Sequence, residues 1–409
     1  MDLNNPYFGN ILIDCLPPIP NPDETLKHLT KSPIVPKEIN DIEPHIRLHY
    51  LTQTMEGFNI PSLEGCRLSS SIDLMIRHGY SSQNPNKPNT WKTLFDGRLS
   101  LRPPPNISSN SASVAGHSGV GKTQAILLAL NYYDQIYNHK TFPNIMENHY
   151  QMCWQSVEVP GSGKLEDFMS AVMRNWDLSL QYHFPNIQPR FTTILSSRNR
   201  DGARMYEEWL QVARSHFLGI LHIDEVQNFF NLPSIRQRQT LKNRGRLELK
   251  IVEDKLLKTI LNLCNSGLPI LISGTPDGMA AFTNRFSTAQ RSSKFGYHEF
   301  KRFESSEDHE YIIFVEQLMK YQFVRKPLTD LKKLSELLLK LTAGIKRLIR
   351  IIWVEAHRHA YLRGKEELLL EDFVVAEEQS LKHLRPAVKA LLSNDPNQLK
   401  QYTDLLGNI

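Results

Sequence analysis

Apolar positions fall into distinct rhythms along the chain. From residue 41 to about 95 they recur at helical spacing, first in Ile42-Glu43-Pro44-His45-Ile46-Arg47-Leu48-His49-Tyr50-Leu51 and again from Leu68 to Ile76. Arg77-His78-Gly79-Tyr80 predicts a helix end at the glycine, and Asn84-Pro85-Asn86-Lys87-Pro88-Asn89 predicts a turn-rich connector. From about 96 to 300, short apolar runs alternate with helical stretches, the pattern of a parallel sheet covered by helices. Strands are expected at Ser111–Ala115, Trp154–Val159, Leu218–Asp224, Pro269–Gly274 and Tyr297–Phe300. The interval between the second and third is longer than one helix needs. It holds a helix from Leu165 to Trp176 and then a polar stretch with Arg190, Arg198, Arg200 and Arg204. From about 304 to 385 only helical runs remain: Glu307–Phe323, Leu328–Leu341, Ile345–Arg363 and Leu370–Leu381, punctuated by Gly344 and Gly364.

Residues 1–40 break these rhythms with Pro6, Pro17, Pro18, Pro20, Pro22, Pro33 and Pro36. Proline fixes φ and blocks regular pairing, so an extended arm is expected. The reading is therefore a proline-rich arm (1–40), a helical N-terminal region (41–95), an α/β domain (96–303), a helical domain (304–385) and a tail (386–409).

Composition narrows the class only a little. The 409 residues are 40% hydrophobic and 22% charged, ordinary for a water-soluble protein, and the net charge of +5 permits nucleic acid as a partner without requiring it. Cys15, Cys66, Cys153 and Cys264 lie far apart with no C-x-x-C pair, which argues against a metal knuckle or a disulfide framework. No apolar run reaches a membrane span, and Met1-Asp2-Leu3-Asn4-Asn5 is not a signal segment, so a cytoplasmic protein is expected.

The chemistry begins at Gly116-His117-Ser118-Gly119-Val120-Gly121-Lys122-Thr123, which reads G-x-x-x-x-G-K-T between an expected strand and an expected helix. Glycines let the backbone curl and bring several N–H groups to one anion, and the following helix adds its positive end. Lys122 is expected on the β- and γ-phosphates of ATP and Thr123 on Mg²⁺. Leu218-Gly219-Ile220-Leu221-His222-Ile223-Asp224-Glu225 is an apolar strand ending in two carboxylates, at the sheet edge where α/β proteins place ligands. Asp224 is assigned to the Mg²⁺ shell and Glu225 to polarising the attacking water, which points to an ATPase forming ADP and phosphate. Leu268–Pro276 offers a hydroxyl beside the γ-phosphate, from Thr275 or alternatively Ser273. Arg285, with Arg291 as its rival, can reach a neighbouring subunit's phosphate, although surface arginines are common. Arg347, one turn into the helix opened by Thr342-Ala343-Gly344-Ile345, can fold over the nucleotide and couple lid position to ATP or ADP; Lys346 and Arg350 are alternatives.

Phosphate loop, Asp-Glu strand, sensing strand, arginine and glycine–arginine helix follow the order of a P-loop AAA+ ATPase. Within that class the chain resembles the TnsC/TniB family, regulators of Tn7-like cut-and-paste transposition. The resemblance rests on Gly116–Thr123, His222-Ile223-Asp224-Glu225, Ile272–Pro276, Gly344–Arg347, Arg47–Leu51, and the segment Leu384–Pro396 with Tyr402–Leu406. It implies a homo-oligomeric ring or filament on double-stranded DNA, with ATP at subunit interfaces. It also implies a link from a TniQ/TnsD-type target selector to a TnsA/TnsB-type transposase, hydrolysis controlling disassembly, and the chain's two ends as partner-binding segments. DNA contacts are sought in Gly161-Ser162-Gly163-Lys164 and in Arg198, Arg200 and Arg204, although exposed basic loops are commonly just solvated. The basic run Arg236–Arg246 departs from a minimal core and is either a DNA loop or a partner surface. Alternative readings are a replication-initiator or helicase-loader-like AAA+ ATPase, and a signalling NTPase without DNA.

Overall fold

The computed structural model describes residues 6–95, 110–198, 200–231, 250–251, 254–283 and 292–399. Its strands are β1 (Ser111–Gly116), β2 (Ile136–His139), β3 (His149–Met152), β4 (Trp154–Glu158), β5 (Ile220–Asp224), β6 (Phe230–Asn231), β7 (Lys250–Ile251), β8 (Ile270–Gly274) and β9 (Tyr297–Phe300). Five form one sheet in the order β4-β5-β8-β1-β9, and β4/β5, β5/β8 and β8/β1 pair in parallel. This is the parallel, helix-covered sheet of a P-loop AAA+ fold, with helical regions on either side of it in sequence. β1, β5 and β8 are buried along their whole length, as strands covered on both faces of a parallel sheet should be. The expected strands are all present, with ends that agree to within two residues. The β2–β3 hairpin was not anticipated, because its short polar strands (Ile136-Tyr137-Asn138-His139 and His149-Tyr150-Gln151-Met152) carry no apolar run.

The chain forms two compact units. The first comprises Met1–Pro20, Arg67–Ala115 and Ile126–His298. Its core gathers Phe168, Met173 and Trp176 from helix Leu165–His183, Met205 and Trp209 from helix Gly202–Ser215, and Ile223 and Ile272 from the sheet. Large apolar side chains contribute roughly 1.5–3 kcal/mol each when fully buried. The long interval between β4 and β5 is therefore largely core-forming. Helix Leu63–Ser81 runs through Gly79 instead of stopping there. A Cβ at Gly79 would lie 2.6 Å from the Pro269 ring, so this glycine serves close packing, not termination.

The second unit comprises Asn21–Cys66, Gly116–Ala125 and Glu299–Ile409. Phe58, Phe303, Phe314, Leu338, Ile352 and Trp353 are buried in its core, joined by Val388 and Leu391 from helix Arg385–Ser393. Arg47 is fully buried there: it donates to the Phe323 carbonyl (3.1 Å), pairs with Glu366 (3.0 Å) and lies 5.2 Å from the centre of the Tyr361 ring. Such an arginine ties helix Pro44–Gly57 to the C-terminal helices.

The proline-rich stretch is not simply extended. Asn10 caps helix Ile11–Asp14, and Asn21 with Glu24 forms a capping box for Pro22–Leu29. Proline at the first helical position costs no hydrogen bond, so Pro22 opens that helix.

Candidate nucleotide site

The phosphate loop belongs to the second unit. β1 delivers the chain to Gly116, where a Cβ would lie 2.4 Å from the Phe300 carbonyl oxygen. Gly119 and Gly121 have φ of +83° and +103°, a backbone that side chains resist, while buried Val120 pins the loop between them. Lys122 is buried and donates to the carbonyls of Gly116 (2.7 Å) and His117 (3.1 Å). Helix Lys122–Leu130 starts at that lysine, with Thr123 in its first turn, so its positive end meets the loop.

The lid helix Lys346–Leu362 rests on this loop. The Arg347 amide donates to the Gly119 carbonyl (3.0 Å), and a Cβ at Gly119 would lie 2.9 Å from the Arg347 Cβ. The three basic candidates at this helix start separate cleanly. Arg347 is exposed beside the loop. Arg350 donates to Gln124 (3.0 Å). Lys346 turns inward, 5.4 Å from the Phe303 ring centre and 5.8 Å from that of Phe314, and donates to the Ile60 carbonyl (3.3 Å). Burial pushes its ammonium down to about 8. A pocket beside the loop is lined by Ile60, Pro61, Gly121, Ala125, Phe300 and Lys346.

The carboxylates belong to the first unit. β5 ends at Asp224, buried, and Glu225 follows in a left-handed conformation with φ of 62°. The Ser273 hydroxyl and the Glu225 amide both donate to Asp224 Oδ1, the latter at 2.9 Å. Because the serine proton goes to the carboxylate, Ser273 Oγ must accept from His222 Nε2, 2.8 Å away. His222 Nδ1 then accepts from Ser156 Oγ at 2.8 Å. Burial lowers the His222 pKa against the pull of Asp224, so the ring is a neutral Nε2–H tautomer. The two-residue strand period places His222 and Asp224 on one face of β5, with Ser156 opposite His222 on β4.

Gln227 donates its Nε2 proton to Glu225 Oε2, and its Oε1 accepts from the Thr275 amide (3.2 Å). Thr275 Oγ1 is buried with no hydrogen-bond partner among the described residues. Ser273 and Thr275 thus differ: Ser273 is spent on Asp224, whereas Thr275 keeps a hydroxyl to offer. Buried hydroxyls are normally satisfied. Within the second unit the glycine-lined loop, its lysine and the helix end fit a phosphate, with Thr123 an oxygen donor of the kind Mg²⁺ takes; within the first unit Asp224 is another such donor.

Of the basic candidates for DNA, Lys164 takes the cap position at the start of helix Leu165–His183 and Arg200 reaches its first turns. Arg200 pairs with Glu166 (3.2 Å) and reaches Ser170 (3.4 Å), and Arg204 pairs with Glu208 (3.0 Å). Lys164 and Arg198 are exposed. In the Gly161–Lys164 turn, Ser162 donates to Asp167 (2.7 Å). Arg285, Arg291, the Arg236–Arg246 run and Tyr402–Leu406 lie outside the described residues. Sequence reasoning missed Gln227, His222 and Ser156. The available signal was a histidine inside an otherwise apolar strand.

Residues 108–280 match the family described as AAA domain, a stretch that includes β1, β4, β5 and β8. No curated protein matches the sequence. Among solved structures, the chain is similar to the ORC2 protein of Aeropyrum pernix in its ADP form, at 13% identity and a TM-score of 0.38. That match covers 66% of this chain and 63% of that one, so the chain spans less than two thirds of that structure's length. A likeness of that size supports no conclusion about activity.

Proposed function

We propose that this chain is an ATP-hydrolysing AAA+ regulator of DNA transposition, assembling as an oligomer on double-stranded DNA. It links a TniQ/TnsD-type target selector to a TnsA/TnsB-type transposase. The observation that carries the switch is the lid helix seated on the phosphate loop through Arg347 and Gly119. A lid that touches the loop through its own backbone must respond to what the loop holds. The TnsC/TniB-like segments supply the transposition context.

In this reading Gly116–Thr123 wraps the phosphates, and Lys122 and Arg347 stabilise their charge. Thr123 and Asp224 hold Mg²⁺, which when bound neutralises phosphate charge. Glu225 orients water and Thr275 Oγ1 offers a proton to the attacked phosphate. Arg285, or Arg291, acts on a neighbour's nucleotide. Lys164, Arg198, Arg200 and Arg204 track DNA phosphates, with Arg200 and Arg204 exchanging their glutamates for phosphate.

Sedimentation with ATP and duplex DNA tests the proposal. Wild type is expected to form large oligomers and Lys122→Ala to stay small. Glu225→Gln is expected to assemble but lose about 100-fold or more in turnover, as removal of a catalytic base does. Wild type that stays monomeric with ATP and DNA at low salt overturns the oligomer reading. Oligomers that bind DNA yet fail to recruit a transposase or a TniQ/TnsD-type partner redirect it to an initiator or loader.

A further inference from the structure

The catalytic glutamate and the hydroxyl-bearing turn come from different strands, yet one side chain touches both. Gln227 sits two residues beyond Glu225, in the short helical turn Val226–Phe229 that follows β5. Its amide is used at both ends. Nε2 donates to Glu225 Oε2, and Oε1 accepts from the Thr275 backbone N–H at 3.2 Å. An amide has one donor end and one acceptor end, so this orientation satisfies a carboxylate and an N–H together, and no other side chain of that length does so.

The packing leaves Gln227 little room to move. A Cβ at Gly278, in the first turn of helix Pro276–Thr283, would lie 2.7 Å from Gln227 Cα and 2.9 Å from its backbone nitrogen. A Cβ at Gly274 would lie 3.0 Å from Gln227 Oε1 and 2.6 Å from Val226. The end of β8 and the following helix are thus pressed against the turn that carries Gln227. Glu225 occupies a left-handed backbone conformation that a non-glycine residue adopts only when its surroundings impose it.

We infer that Gln227 is a positioning residue for ATP hydrolysis: it yokes the Glu225 carboxylate to the Thr275 turn, so that a ligand held by Thr275 sets the aim of Glu225. The inference rests on the ATPase reading above. It assigns no chemical step to Gln227, which acts only through Glu225. Loss of the yoke leaves nucleotide grip intact and degrades the chemical step.

Three variants separate its parts. Gln227→Ala removes both bonds. Gln227→Glu keeps an acceptor for the Thr275 amide but loses the donor to Glu225. The third is Gln227→Ala in a Glu225→Gln background. Steady-state hydrolysis of Mg·ATP and deuterium exchange of the peptide around Thr275, without nucleotide, are measured on each, with thermal denaturation checking folding. Gln227→Ala is expected to lose roughly ten- to hundredfold in kcat, the worth of a hydrogen bond to a charged group, with KM for ATP little changed. The Thr275 amide should exchange at least about tenfold faster, as expected when a native hydrogen bond is lost. Gln227→Glu should lose kcat comparably while keeping the Thr275 amide protected. In the Glu225→Gln background, Gln227→Ala should have no further effect. Unchanged kcat in folded Gln227→Ala, unchanged Thr275 exchange, or additive losses each overturn the yoke. A wild type that turns over no ATP overturns the ATPase reading instead, and the exchange arm alone then decides whether Gln227 holds the turn.

Discussion

At the residue scale, the network under Asp224 is where small changes should have the largest effects. Ser273→Ala removes the hydroxyl donor to Asp224 and the acceptor for His222. On the proposed reading of Asp224 as a Mg²⁺ ligand, loss of a partner that orients it should raise the Mg²⁺ concentration for half-maximal hydrolysis about tenfold, read by metal titration. Nucleotide binding in chelator should be unaffected. His222→Phe leaves Ser156 and Ser273 facing an apolar ring and should cost about 2–4 kcal/mol in urea denaturation, the cost of unsatisfied buried polar groups. The phosphate loop was legible in the sequence because its chemistry is local, running from Gly116 to Thr123 without a break. Gln227 was not, because its meaning depends on the Thr275 amide, which only the pairing of β5 with β8 brings alongside. The sequence put Thr275 ahead of Ser273 as the hydroxyl at that strand end, but it could not tell what each already binds. The structure separates them by what each already binds.

At the element scale, helix Arg385–Ser393 shows how one buried cation can decide where a segment lies. Arg302 donates to the carbonyls of Phe303, Ala343 and Leu391 and to the Asn394 side chain (3.0–3.3 Å). Two of those acceptors sit at the C-terminal end of the helix, where a cation is favoured. Arg302→Ala should destabilise the second unit by roughly 2–3 kcal/mol, as loss of hydrogen bonds from a charged donor does, and should speed deuterium exchange in residues 385–393 ahead of the rest. The helix itself has an apolar rhythm in Val388 and Leu391, yet the sequence presented it as part of a tail. Its burial is a long-range property, set by Arg302 and by the core that Val388 and Leu391 join. The stretch before β5 carries the same lesson: beyond Trp176 it read only as polar and arginine-bearing, yet it folds into helix Gly202–Ser215, whose Trp209 joins Trp176 in the core.

At the scale of the whole molecule, buried histidines set the acid limit. Burial, aided by the nearby His216 and His139, pushes His149 down to about 3, and burial pushes His357 down to about 4. Both are neutral when folded and take up protons more readily when unfolded. Their contribution is therefore intact above the ordinary histidine range near 6.5 and is lost as pH falls toward 4. Each should cost about 1.4 kcal/mol per pH unit across that window, observed as a falling urea midpoint. Replacing His149 with Phe should flatten the slope. DNA binding, if it runs through phosphates, should weaken steeply with salt and show little dependence on sequence. The sequence alone determined the alternation that builds a parallel sheet, the loop that grips phosphate and the paired carboxylates, because each is written in neighbouring residues with a fixed period. Tertiary structure alone decided which hydroxyl is committed, which of three basic side chains meets the loop, and that Glu225 is tied through Gln227 to a turn nearly fifty residues away. Those choices depend on strand register and burial, which bring together groups that no local pattern relates.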